Sequence, residues 1–104
     1  MTFEELETKV LSWAQDRQII PNSNAHTQLL KTVSELGELA DALLKSDRDG
    51  FIDGIGDVLV TLILCAKLYN PQISMAYCLS EAYNTIKDRK GTLTPEGIFV
   101  KEAP

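Results

Sequence analysis

Histidine and tryptophan each occur once in this 104-residue chain and cysteine only twice. Each scarcity removes a class of function. Cys65 and Cys78 are not spaced as a zinc-ligand pair, and His26, in a loop or first turn, has no second histidine to join it, so it is assigned no chemistry. Both cysteines stand in apolar surroundings, which predicts buried free thiols. The longest near-apolar run, Val58 to Ala66, falls well short of the ~20 residues of a spanning helix, so no membrane partner is expected. The opening MTFEELETKV has neither a charged n-region nor an apolar h-region, and the expected location is cytoplasmic and reducing. Basic residues are also few: ten Lys and Arg face fifteen Asp and Glu, a formal net charge of -5. Phosphate backbones need clustered cations, so nucleic acid is not the expected partner.

What is present is an ordinary globular composition, 44% hydrophobic and 24% charged, over a length that fits a single domain, residues 1–104. A chain of this size buries roughly 60 to 70% of its unfolded surface, a core with little margin, so help from a partner subunit is expected. Thr2 and Glu5 form a capping box, and Phe3, Leu6, Val10 and Trp13 follow at helical spacing, predicting a first helix to about Gln18. The stretch Ile20 to Asn24 reads as a loop with N-cap candidates for a second helix, whose apolar side is Leu29, Leu30, Val33, Leu36, Ala40, Leu43 and Leu44. After a polar break, with Asp47 or Asp49 as cap, a third helix runs from about Phe51 to Tyr69. Its centre, VLVTLILCA, also fits a buried strand, but the length without a turn signal favours helix. Asn70-Pro71 begins a fourth helix, packed through Met75, Leu79, Ala82, Tyr83 and Ile86 and stopped by Gly91. A turn at Thr94 to Gly97 then predicts a short hairpin or extended arm. The expected fold is an all-α four-helix domain with a C-terminal arm.

Charge is concentrated in one place. Ser34 to Val60 holds Glu35, Glu38, Asp41, Asp47, Asp49, Asp53 and Asp57 against only Lys45 and Arg48, which accounts for the whole net charge. On the second helix Asn24, Gln28, Lys31, Glu35 and Glu38 form one stripe, which alone reads as a solvated face. The third helix is different. Beyond Asp57 it is apolar all round, the mark of a buried helix, and Asp53 and Asp57 lead into it on the side of Val60 and Leu64. The helix dipole offsets up to ~1 kcal/mol per charge, less than the several kcal/mol that burying an unpaired carboxylate costs. A short connection packs the two helices antiparallel and brings Glu35 and Glu38 towards Asp53 and Asp57. Mutual repulsion among these acids is relieved by a hard divalent cation. Oxygen-only ligands indicate Mg²⁺ or Mn²⁺ rather than zinc, and Mg²⁺ commonly takes substrate phosphates as further ligands.

The combination SELGELADALL and IDGIGDVLV resembles the MazG-like all-α nucleoside triphosphate pyrophosphohydrolases, especially short phage-type members. The resemblance extends from WAQDRQI through QLLKTVSELGELA to NTIKDRKG and GIFVKE. It implies ExxE and ExxD pairs that bind Mg²⁺, cleavage of a nucleotide between its α and β phosphates, and assembly as a homodimer or homotetramer in a larger helical bundle. Glu35 and Glu38 match the first pair and Asp57 the last acid; Gly54 stands where the pattern has Glu, with Asp53 beside it as candidate substitute. Glu35 or Glu38 is then the expected acceptor of the attacking water's proton. The segment NTIKDRKG resembles the family's phosphate-contacting stretch, which makes Asn84, Lys87, Arg89 and Lys90 candidates, with Lys31 a second source of positive charge. The plain reading of those cations is compensation of a helix dipole. Trp13 stands at a core-like position, with base stacking as its other role. Two readings compete with the enzyme: a nucleotide- or metal-binding module with little turnover, and a structural dimerisation domain.

Overall fold

The computed structural model describes residues 1–103. Thr2 starts helix α1 (Phe3–Asp16), its Oγ1 accepting the Glu5 amide at 3.1 Å. The stretch expected as loop contains a short helical turn, α2 (Ile19–Asn22), entered through Gln18 in the left-handed region at φ 60°. Asn24 then caps α3 (Ala25–Leu44) by accepting the Thr27 amide. Asp47, of the two candidates, caps α4 (Arg48–Tyr69) through the Gly50 amide, so that helix begins ahead of the expected Phe51. Ser74 caps α5 (Met75–Ile86). This helix starts later than Pro71 and ends before Gly91: Asn70 Oδ1 accepts the Gln72 amide in a turn, and the helix begins only where the Ser74 hydroxyl caps it. Gly91 opens a strand instead: β1 (Gly91–Leu93) pairs antiparallel with β2 (Phe99–Lys101), Thr92 opposite Val100. The fold is all-α with a terminal hairpin, as expected.

Packing centres on α3 and α4, joined by a tight turn at Lys45 to Asp47 and lying side by side along their length. Between them Thr32 Oγ1 donates to Thr61 Oγ1 at 2.8 Å and Thr61 in turn donates to the Val58 carbonyl at 2.9 Å, so both buried hydroxyls are paired. Ala14, Ile63 and Leu64 complete the small apolar core. On α1 the buried positions are Glu7 and Ala14, not the expected Phe3, Leu6 and Trp13, which are all exposed. The Glu7 carboxylate accepts the Met75 amide at 2.8 Å, fastening α1 to the first turn of α5.

Several expected core residues are therefore surface residues of the single chain. Leu30 is 72% exposed and Leu44 85%, and on α5 Leu79 reaches 72%. The expected burial of both thiols also fails: Cys78 is exposed and Cys65 half-buried, its Sγ donating to the Ala25 carbonyl at 3.4 Å. The physical reason is shared, since α5 touches only α1 and α4 and leaves its apolar side uncovered. The radius of gyration is 16.3 Å, against ~13 Å for a compact domain of this length. Among the described residues no helix is long and apolar enough to cross a membrane.

Candidate acidic active site

Glu38 and Asp41 on α3 and Asp53 and Asp57 on α4 line one cleft of about 230 Å³. Helical spacing explains the grouping: Glu35, Glu38 and Asp41 follow at intervals of three, and Asp53 and Asp57 at four. Glu35 lies at the edge of this group, half-buried, beside the Glu38 carboxyl and within the field of Asp57. Its acidity shows the crowding. A carboxyl–carboxyl hydrogen bond with Glu38 raises its pKa first, partial burial and the charges of Glu38 and Asp57 add to the rise, and Lys31 opposes it. The Lys31 ammonium stands 3.9 Å from Glu35, one turn away on the same helix. At the other end Lys45 pairs with Asp41 at 2.7 Å, which leaves Glu38, Asp53 and Asp57 without a salt-bridge partner among the described residues.

The packing accounts for the glycine that breaks the family pattern. Gly54 is buried against α3, and a Cβ there would lie 3.0 Å from Leu39 Cδ1 and 3.4 Å from its Cα. A side chain at 54 would need Leu39 to give way, whereas Asp53 already lines the cleft. Among the described residues no three His, Cys, Asp or Glu side chains are preset as a metal cage. The donor set itself, oxygen throughout and already protonating more readily at Glu35, fits a hard divalent cation.

The other candidates are divided between two further clefts. Trp13, 42% exposed and so not a core residue, lines a groove with Lys31 between α1, α3 and α4. The Arg17 guanidinium lies over its ring at 5.1 Å. Asn84, Arg89 and Lys90 line a separate cleft with Lys101 of the hairpin, and Lys87 is the C-cap of α5. Within one chain none of these four lines the acidic cleft. Sequence reasoning passed over Asp41, although its spacing from Glu38 was visible, and left Gln28 and Arg17 without a role.

A protein of Haemophilus phage HP1 (strain HP1c1), described as an uncharacterized 18.2 kDa protein in the rep-hol intergenic region, is 33% identical to this chain over 64 residues. The match covers 62% of this chain and 39% of that relative. No solved structure matches. Residues 23–93, which run from the Asn24 cap through both acid-bearing helices to the first strand, match the MazG nucleotide pyrophosphohydrolase domain. The acids drawn together across α3 and α4 thus lie inside the matched span, and the chain belongs to the MazG nucleotide pyrophosphohydrolase family.

Proposed function

We propose that the chain is a Mg²⁺-dependent nucleoside triphosphate pyrophosphohydrolase, with Mn²⁺ as a substitute ion, converting a ribo- or deoxynucleoside triphosphate and water to the monophosphate and pyrophosphate. The observation that carries this reading is the convergence of Glu38, Asp53 and Asp57, none with a salt-bridge partner among the described residues, on one cleft between α3 and α4. Glu35, Glu38, Asp53 and Asp57 would hold the cation, which when bound supplies charge neutralisation at the phosphates and acidifies a coordinated water. The chain's own part is proton transfer and positioning. Glu35 or Glu38 accepts the proton of the water that attacks the α-phosphorus; the new P–O bond forms as the bond to the β-phosphate oxygen breaks, and pyrophosphate leaves. Lys31, next to Glu35, lies where a phosphate would meet positive charge.

Asn84, Lys87, Arg89 and Lys90 fit the same reading as contacts delivered by a second copy. Support comes from surface area: the chain exposes 7948 Å², about 2,000 Å² more than expected for a monomer of its mass. An excess of that size per chain is the scale of an obligate assembly, consistent with a homodimer or homotetramer. The same apolar faces are what a purely structural dimerisation domain would show, so turnover decides. Incubation with each nucleoside triphosphate should release pyrophosphate with Mg²⁺ and none with chelator. Glu38→Gln, which keeps the shape and removes the charge, should abolish nearly all turnover while the protein stays folded. Full activity in that variant would show that ExxE is not the metal pair.

A further inference from the structure

The groove beside Trp13 contains an unsatisfied polar atom that the acid chemistry does not use. Gln28 is only 7% exposed; its Nε2 donates to Ser23 Oγ at 3.0 Å, and its Oε1 is buried with no partner. A buried acceptor left unpaired costs about 1 to 3 kcal/mol, so an atom in this state needs a reason. Its surroundings offer one. Gln28 lines a cleft of about 420 Å³ with Trp13, Asn22, Lys31 and Thr61, combining an aromatic plane, carboxamides and apolar wall. Gln28, Lys31 and Glu35 lie on one stripe of α3, with ~10 Å of helix rise between the first and last. That is of the order of the distance from a nucleobase edge to its phosphates. Building on the hydrolase reading above, we propose that this cleft is the nucleobase site and that Gln28 is the residue that reads the base.

Geometry assigns the roles. With Nε2 donating to the Ser23 hydroxyl, Oε1 is the acceptor left without a partner, and it would match an N–H on the base's hydrogen-bonding edge. Trp13 supplies the stacking surface, and Lys31 at the mouth leads from base to phosphates. A site that hydrogen-bonds its ligand discriminates sharply against one lacking the matching group, because the buried partner is then left unpaired. Gln28 thus selects among bases without touching the reacting phosphorus.

The single tryptophan lets the cleft be read directly. Titration with the four nucleoside monophosphates, without metal, should quench Trp13 fluorescence saturably and with unequal affinities. Gln28→Leu should weaken the preferred nucleotide about 10-fold and level the order among bases, whereas Gln28→Glu, which keeps an acceptor, should preserve that order. In turnover with Mg²⁺ the loss in Gln28→Leu should fall on KM, and deoxyribose 5′-triphosphate, which has no base, should be hydrolysed equally by both proteins. Absence of quenching by every nucleotide, an unchanged base order in a folded Gln28→Leu, or an equal loss on the baseless substrate would each overturn the proposal. Absence of turnover on every triphosphate would instead overturn the hydrolase reading on which it rests.

Discussion

Glu35 is where the charge balance of the molecule can be measured. Its pKa is raised in the folded chain, chiefly by the hydrogen bond with Glu38, so between the ordinary glutamate value and the raised one the folded protein keeps a proton that the unfolded chain has released. Stability from this group is complete below the ordinary value and is lost as pH rises through the raised one. Melting in chelator should therefore fall across that window, and Glu35→Gln should flatten the slope; an unchanged slope would place the proton on another group. Millimolar Mg²⁺ should raise the melting temperature above the window, because the ion takes over the proton's role. Gly54 carries a second prediction. Glutamate there would restore the family spacing, but its Cβ meets Leu39 at 3.0 Å, so Gly54→Glu should lower stability by about 1 to 3 kcal/mol in denaturant melts. Asp53→Asn should remove activity at subsaturating Mg²⁺ as thoroughly as Asp57→Asn. Full activity in Asp53→Asn would reduce the acid set to Glu35, Glu38 and Asp57.

Among the elements, α5 depends on others most. It buries no residue of its own, and its link to α1 is the Glu7 carboxylate at the Met75 amide. Glu7→Ala should cost about 1.5 to 3 kcal/mol, the worth of a hydrogen bond to a charged group, and hydrogen exchange should show the loss in the first turn of α5. Protection unchanged there would mean that apolar contacts alone hold the helix. That role could not be read from sequence, since Glu7 follows two other acids in an apparently solvated turn and its partner is 68 residues away. The acid stripe was legible for the opposite reason: intervals of three and four fix a shared face before any tertiary contact is known. Asp47 and Asn24 were legible as candidate caps through their chemistry, although α4 starts ahead of the expected Phe51, and the boundary at Ser74 was not legible, because Asn70-Pro71 offers the stronger local signal. The stripe that carries Gln28 reads in sequence as a solvated face, yet Gln28 is buried. Its burial comes from the packing of α4 along α3 and from the Ser23 hydroxyl at its amide, and no periodicity contains this information.

At the scale of the molecule, apolar faces outnumber the partners one chain can give them. Leu29, Leu30, Val33, Leu36, Leu43 and Leu44 follow helical spacing as a core face does, yet all are exposed, because α4 covers only one side of α3. The periodicity is that of a packed face, but nothing in the single chain covers it. Sedimentation should therefore find a dimer or tetramer at micromolar concentration, and Leu30→Glu, at a position 72% exposed in the monomer, should shift it towards monomer and lower the melting temperature. A monomer in the wild type would refute the assembly and leave Asn84, Lys87, Arg89 and Lys90 outside the site. The contact of Leu39 with Gly54 reaches further than local packing. It lies next to Glu38 on one helix and Asp53 on the other, so the leucine acts as the gauge block of the cleft, setting how far apart the two acid-bearing helices stand. On the metal-dependent reading proposed above, ionic radius would be sensed through such a gap, and a change of side-chain size at Leu39, with no charge altered, should retune which divalent cation the acids prefer.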